Sequence, residues 1–165
     1  MQHQKYIFSL DVDPPANDLD SEKSVHVQSI SNLLQTTGLR HLPWAGACHL
    51  VKRWFSGKML DSIFSEQIVQ LLIANVFINP IPNLEAPLSF ECAVLRFFDF
   101  LSFHDFENRA IFLNEDGLMD SKSMLEIKKA MHENRSSFPA ITLITPFDKT
   151  PSCYTREVSK ADLKR

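Results

Sequence analysis

The sequence predicts an α+β domain that is mostly helical, and three observations lead there. Apolar residues recur at helical spacing through most of residues 18–135. Residues suited to helix starts, Pro43, Ser65 and Ser89, stand at the heads of three of those runs. Two short apolar runs, Ala110–Leu113 and Ala140–Thr145, end at turn residues or proline and read as strands.

The elements follow in order. Lys5–Val12 alternates loosely and reads as a strand that Asp13-Pro14-Pro15 ends, because proline cannot extend a central ladder. Asp18–Thr37 reads as a helix with Val27, Ile30, Leu33 and Leu34 on one face, and Gly38 is placed to stop it. The next helix starts near Pro43. Trp44, Ala47, Cys48, Val51, Trp54 and Phe55 form its core face, with His49, Lys52, Arg53 and Ser56 opposite. Ser65 caps a third helix to about Ile78 that is apolar nearly all round and therefore central.

A proline-rich connector, residues 79–88, leads to a fourth helix from Ser89 to about Ser102. Glu91, Arg96, Asp99 and Ser102 give that helix a narrow polar stripe. Seven of the 13 phenylalanines lie between Phe90 and Phe112, which predicts a dense core segment because Phe carries no polar handle. Glu115-Asp116-Gly117 is a turn. From Asp120 to about Arg135 an amphipathic helix turns Met124, Ile127 and Met131 inward and Lys122, Glu126, Lys129 and Glu133 outward. Ser159–Arg165 begins another helix. Residues 1–20 thus form a strand and linker, 21–150 the helical domain, and 151–165 the start of a helix in an expected fragment of a longer protein.

Composition narrows the function classes. At 165 residues the chain can bury a core of its own, and its 44% hydrophobic and 22% charged residues are ordinary for a globular protein. A net charge of -3 and a pI near 6.0 argue against an autonomous basic nucleic-acid binder, whose pI would exceed about 9. Cys48, Cys92 and Cys153 are widely spaced and odd in number, which suggests a reducing compartment and neither a disulfide framework nor a zinc pattern. No apolar run reaches the ~18 residues of a membrane-spanning helix.

Four groups of residues invite a chemical reading. Asp11-Val12-Asp13 puts carboxylates on alternate strand positions, as two-metal chemistry requires. No Gly-Ser pair exists to hold a triphosphate, and Asp13 precedes Pro14, so a turn is the better reading. Cys48, His49 and Cys92 lack the four-ligand spacing of structural zinc. His104-Asp105 has no nucleophile in a strained turn beside it, and His104 reads as a helix-end histidine favoured by the dipole. Lys52, Arg53 and Lys58, with Arg40 and Arg96, are candidate phosphate contacts, set against a solvated helix face as the alternative. No catalytic residue, metal site or cofactor is expected.

LPWAGACHLVKRWFSGKML, FSEQIVQLLIANVF, FECAVLRFFDFLSFHDFENRAIFLNEDG and FPAITLITPFDKTPSCYTREVSKADLKR occur in this order. Together they resemble the nucleolar RNA-associated protein (Nrap) family, in its second poly(A)-polymerase/oligoadenylate-synthetase-like domain, over roughly Val25 to Arg165. Val51-Lys52-Arg53-Trp54 alone is weak; LRFFDFLSFHDFENR and TLITPFDK in register make the resemblance specific. It implies a nucleolar, non-catalytic scaffold of the small-subunit processome. Its partners would be precursor ribosomal RNA, other processome proteins and the remainder of a longer Nrap-type chain, with no membrane. Where family members commonly show tryptophan, this chain has Phe106, which keeps apolar bulk and loses the indole donor. The alternatives are an accessory domain of an active nucleotidyltransferase and a protein-only interaction domain.

Overall fold

The computed structural model describes residues 16–60, 63–80, 82 and 85–147. The expected strand at Lys5–Val12, the Asp11 and Asp13 carboxylates, Cys153 and the helix from Ser159 lie outside these residues. Among the described residues, five α-helices and two short strands occur in the order α1 (Ala16–Arg40), α2 (Pro43–Gly57), α3 (Glu66–Ile78), α4 (Phe90–Phe103), β1 (Ile111–Phe112), α5 (Ser121–Glu133) and β2 (Leu143–Ile144). The mostly helical α+β class expected from the sequence is the one observed.

α3 is the centre. Nine of its thirteen residues are buried, so it has no solvent face and every neighbour packs onto it. Ser65 caps it as expected, its hydroxyl accepting from the Ile68 N–H. Ser89 does the same for α4 through Cys92 N–H. α2 begins at Pro43, where the missing N–H costs no helix bond. Gly46 of α2 meets Phe90, and Trp54 meets Phe98 two turns further along each helix, so α2 and α4 run in the same direction. A Cβ at Gly46 would stand 3.1 Å from the Phe90 Cβ, which makes this close approach specific to glycine.

Gly38 does not stop α1, which continues to Arg40. Its role is spatial: a Cβ there would lie 3.2 Å from the Trp44 ring. The Trp44 indole Nε1 is buried without a hydrogen-bond partner among the described residues, so packing holds that ring. α2 ends with Met59 in the left-handed region (φ 57°), where Met59 N–H reaches Ser56 O and Leu60 N–H reaches Phe55 O.

Three core assignments need correction. Trp54 is 43% exposed, stacked edge-on against Phe98 and Phe55 at the rim, because Val51 and Phe55 take the inward direction of α2. The phenylalanine-rich segment is only partly core. Ala93 and Phe97 are the fully buried residues of α4, while Leu95 and Phe103 are exposed at 68% and 85%. One stripe of α4 faces α2 and α3, and apolar residues outside that stripe stay in water. Val27 of α1 is likewise exposed.

β1 and β2 pair in parallel, Ile111 opposite Leu143 and Phe112 opposite Ile144. Parallel pairing needs a crossover, and α5 supplies it. Residues 140–145 are buried throughout, the pattern of a covered parallel strand. The strands are shorter than the apolar runs that predict them because pairing is confined to two residues of each.

Arg135 fastens this half of the fold. It sits in a single 3₁₀ turn after α5, and its guanidinium donates to four carbonyls: Glu107, Phe106 (3.2 Å), Phe138 (2.8 Å) and Ala140 (3.1 Å). The segment after α4 is thereby tied to the approach to β2. Lysine has no planar fork and cannot span these acceptors. Arg135→Lys should therefore lower unfolding stability by about 2–3 kcal/mol, the scale of losing charge-assisted hydrogen bonds. Urea denaturation measures it, and an unchanged midpoint would remove Arg135 from this role.

Candidate interaction surface

The cations singled out by the sequence occupy different situations. Lys52 on α2 pairs with Glu66 at the start of α3, and Glu66 also accepts from Gln70 Nε2. The pair is partly exposed, and such pairs contribute about 0–1 kcal/mol, so Lys52 can exchange its partner at little cost. Arg53 and Lys58 are exposed and form no ion pair among the described residues. Arg40 is engaged. It pairs with Asp116 (2.8 Å) and Glu115 (3.1 Å), and the hydrogen bonds it donates to these carboxylates, Asp116 first, raise its pKa further. Arg96 donates to the Glu85 carbonyl (2.6 Å).

Sequence reasoning missed a groove of about 670 Å³ between the C-terminal ends of α3 and α4 and strand β1. Asn79 forms one wall. Its side-chain N–H groups donate to Asn75 Oδ1 (2.9 Å) and to the Phe112 carbonyl (2.8 Å), joining α3 to β1. Phe100, Phe103 and His104 form the opposite wall, with Arg96, Asp99 and Arg109 along it. Separate sequence signals fall on it, the proline-rich connector with Pro80 and Pro82 and the candidate cation Arg96, but nothing in the sequence joined them.

His104 is the residue after α4, as a helix-end histidine should be, but the dipole does not govern its titration. Burial lowers its pKa, outweighing the other influences. Its Nε2 lies 3.2 Å from the Arg109 carbonyl, which can only accept, so Nε2 carries the proton of the neutral ring. Phe100 and Phe106 flank that ring, each with its centroid 4.8 Å away. Asp105 organises the next turn. Oδ1 accepts from the Glu107 and Asn108 N–H groups at 3.1 Å and Oδ2 from Asn108 Nδ2 at 2.9 Å. The Asn108 side-chain bond is the main reason its pKa is lowered. His104-Asp105 is thus a cap followed by a turn.

Cys48 is buried, and burial pushes its thiol up to about 12, so it behaves as a small hydrophobe. Among the described residues no three His, Cys, Asp or Glu side chains gather as a metal site, and no helix is long and apolar enough to cross a membrane.

Residues 41–165 match the family described as Nrap protein PAP/OAS1-like domain 5. The chain belongs to the Nrap family. The matched stretch of this Nrap domain starts at the head of α2 and includes the groove. Similar proteins include Nucleolar protein 6 of Xenopus tropicalis, 28% identical over 141 residues (86% of this chain). Nucleolar protein 6 of Homo sapiens is 27% identical over 124 residues (75% of this chain). That of Drosophila virilis is 21% identical over 139 residues (84%). The Nrap chain spans 11–12% of the length of these relatives.

The lowered pKa of His104 gives a sign to one pH effect. The unfolded chain binds this proton more tightly, so it takes up the proton first as pH falls below about 6.5. Stability contributed by His104 is present above that pH and is lost as pH falls through the lower folded value. His104→Phe should therefore lose less stability than the parent between about pH 7 and pH 5 in urea titrations. Parallel pH profiles for the two proteins would contradict this.

Proposed function

We propose that this Nrap-family chain is a non-catalytic interaction module of nucleolar ribosome assembly. In this reading it contacts precursor ribosomal RNA and other small-subunit processome proteins as part of a longer chain. The names of the relatives support the nucleolar setting. The observation that carries the reading is the division of labour among polar groups. Asp105, Glu115, Arg40 and Arg135 are committed to structural bonds, holding a turn, a loop to α1, and the segment after α4 to the approach to β2. Arg53 and Lys58 remain open to a partner, and Lys52 is held only by a partly exposed pair.

The mechanism is presentation. A rigid helical core holds Lys52, Arg53 and Lys58 where phosphates can displace water and counterions. Such contacts give affinity and register but little sequence information. Binding of single-stranded RNA should weaken with rising salt by about 0.7 in log affinity per log salt for each phosphate contacted. Arg53→Glu combined with Lys58→Glu should weaken it at least about tenfold and flatten that slope by about 1 or more. Fluorescence anisotropy across a salt series measures both. Unchanged affinity and slope would sink the RNA contact, and magnesium-dependent incorporation of labelled nucleotide by the chain would sink the non-catalytic role.

A further inference from the structure

We propose that the groove between α3, α4 and β1 receives an unpaired base of single-stranded RNA, a second contact beyond the phosphate-binding edge of α2. It rests on the RNA-binding reading above and goes further by naming what is bound and where.

The dimensions suit a small occupant. A volume of about 670 Å³ falls in the range of about 300–1,000 Å³ typical of small-ligand sites. That is room for an extruded base and its sugar-phosphate, and far too little for a duplex. The walls are mainly apolar but interrupted by Asn79, Arg96, Asp99 and Arg109, which suits an aromatic ring with polar edges better than a wholly hydrophobic helix face.

The chemistry matches a nucleotide part by part. Phe103 is 85% exposed although it is a large aromatic side chain at the groove's edge. Phe100 and the His104 ring continue the aromatic wall inward. Aromatic faces stack on any base, at about 1–3 kcal/mol per base, and so need no particular sequence. Asn79 spends its N–H groups on Asn75 and Phe112, which leaves its Oδ1 as an acceptor for a base amino group.

Charge supplies the other half. Arg109 is exposed, and its guanidinium makes no hydrogen bond or ion pair among the described residues. Arg96 uses Nη1 on the Glu85 carbonyl and keeps further N–H donors. The Lys128 ammonium lies 5.3 Å from the Phe112 ring centroid, at the strand side. The lining itself carries two cations, Arg96 and Arg109, against one carboxylate, Asp99. Exposed aromatic faces beside surplus cations are the features of single-strand binding surfaces in a chain whose net charge is otherwise negative.

The test is binding of the full 165-residue chain to a short uridine-rich single strand containing 4-thiouridine, with photocrosslinked peptides mapped by mass spectrometry. Crosslinks are expected within residues 96–112. Phe103→Ala should weaken binding roughly 5- to 100-fold with little change in salt slope, and Phe103→Tyr should retain it. Arg109→Glu should weaken binding and flatten the slope by about 1. The exposed position of Phe103 makes an unchanged melting curve the expected folding control. The groove is wrong if Phe103→Ala and Arg109→Glu bind like the parent while the α2 substitutions still weaken binding; the α2 reading then survives alone. Equal losses on duplex and single strand for Phe103→Ala would also overturn it. Absence of RNA binding by the parent chain would overturn both.

Discussion

Burial of α3 on every side is the constraint from which the rest of the fold follows. A helix with Leu71, Leu72, Ile73 and Ala74 all removed from water has no polar face to offer, so its neighbours must enclose it. Each large apolar side chain so buried stabilises by roughly 1.5–3 kcal/mol. α1, α2 and α4 enclose it, and Ile111, Leu113, Ile141 and Leu143 from the strand region join the same core. Enclosure also shapes the surface. Where α3 ends at Ile78 the chain must leave the core, and Asn79 secures that exit against β1. The groove is the space left beside this exit.

Outside the core, order comes from polar side chains that grip the backbone. Arg135 holds four carbonyls, and Asp105 holds two N–H groups. Asn114 clasps Met119 through both its N–H and its carbonyl. Glu115 takes Arg40 and the Thr37 hydroxyl. Each is a charged or amide group of a kind that serves chemistry in enzyme active sites. Arg53, Lys58, Arg109 and Phe103 are exposed and have no such structural commitment among the described residues, and the proposed RNA contacts draw on them.

Local signals in the sequence were reliable where local physics decides. Ser65 and Ser89 cap the helices they precede, Pro43 opens α2, and the all-round apolar character of 66–78 places α3 in the centre. Signals that depend on distant partners were not legible. Gly38 has the composition of a stop, but the Trp44 ring rather than a chain reversal explains it. Trp54 and Phe103 look like core residues because hydrophobicity does not say which stripe of a helix has a neighbour. Arg135 looks like the end of an exposed helix, since its acceptors at Phe106 and Glu107 are nearly thirty residues away. Two short apolar runs reveal strands but not that they pair in parallel. At the surface, Lys52, Arg53 and Lys58 could be named from sequence, whereas the groove required the meeting of three elements. The segment LRFFDFLSFHDFENR, which with TLITPFDK makes the family resemblance specific, supplies one wall of that groove and two of the four carbonyls gripped by Arg135.

Native-state hydrogen exchange on the full chain tests the dependence on α3 most directly. The amides from Leu71 to Phe77 should exchange only through global unfolding, with a free energy equal to that from denaturant titration, while α5 opens at a lower one. Exchange of α3 through a smaller local opening while α5 remained closed would contradict its place at the centre of the fold.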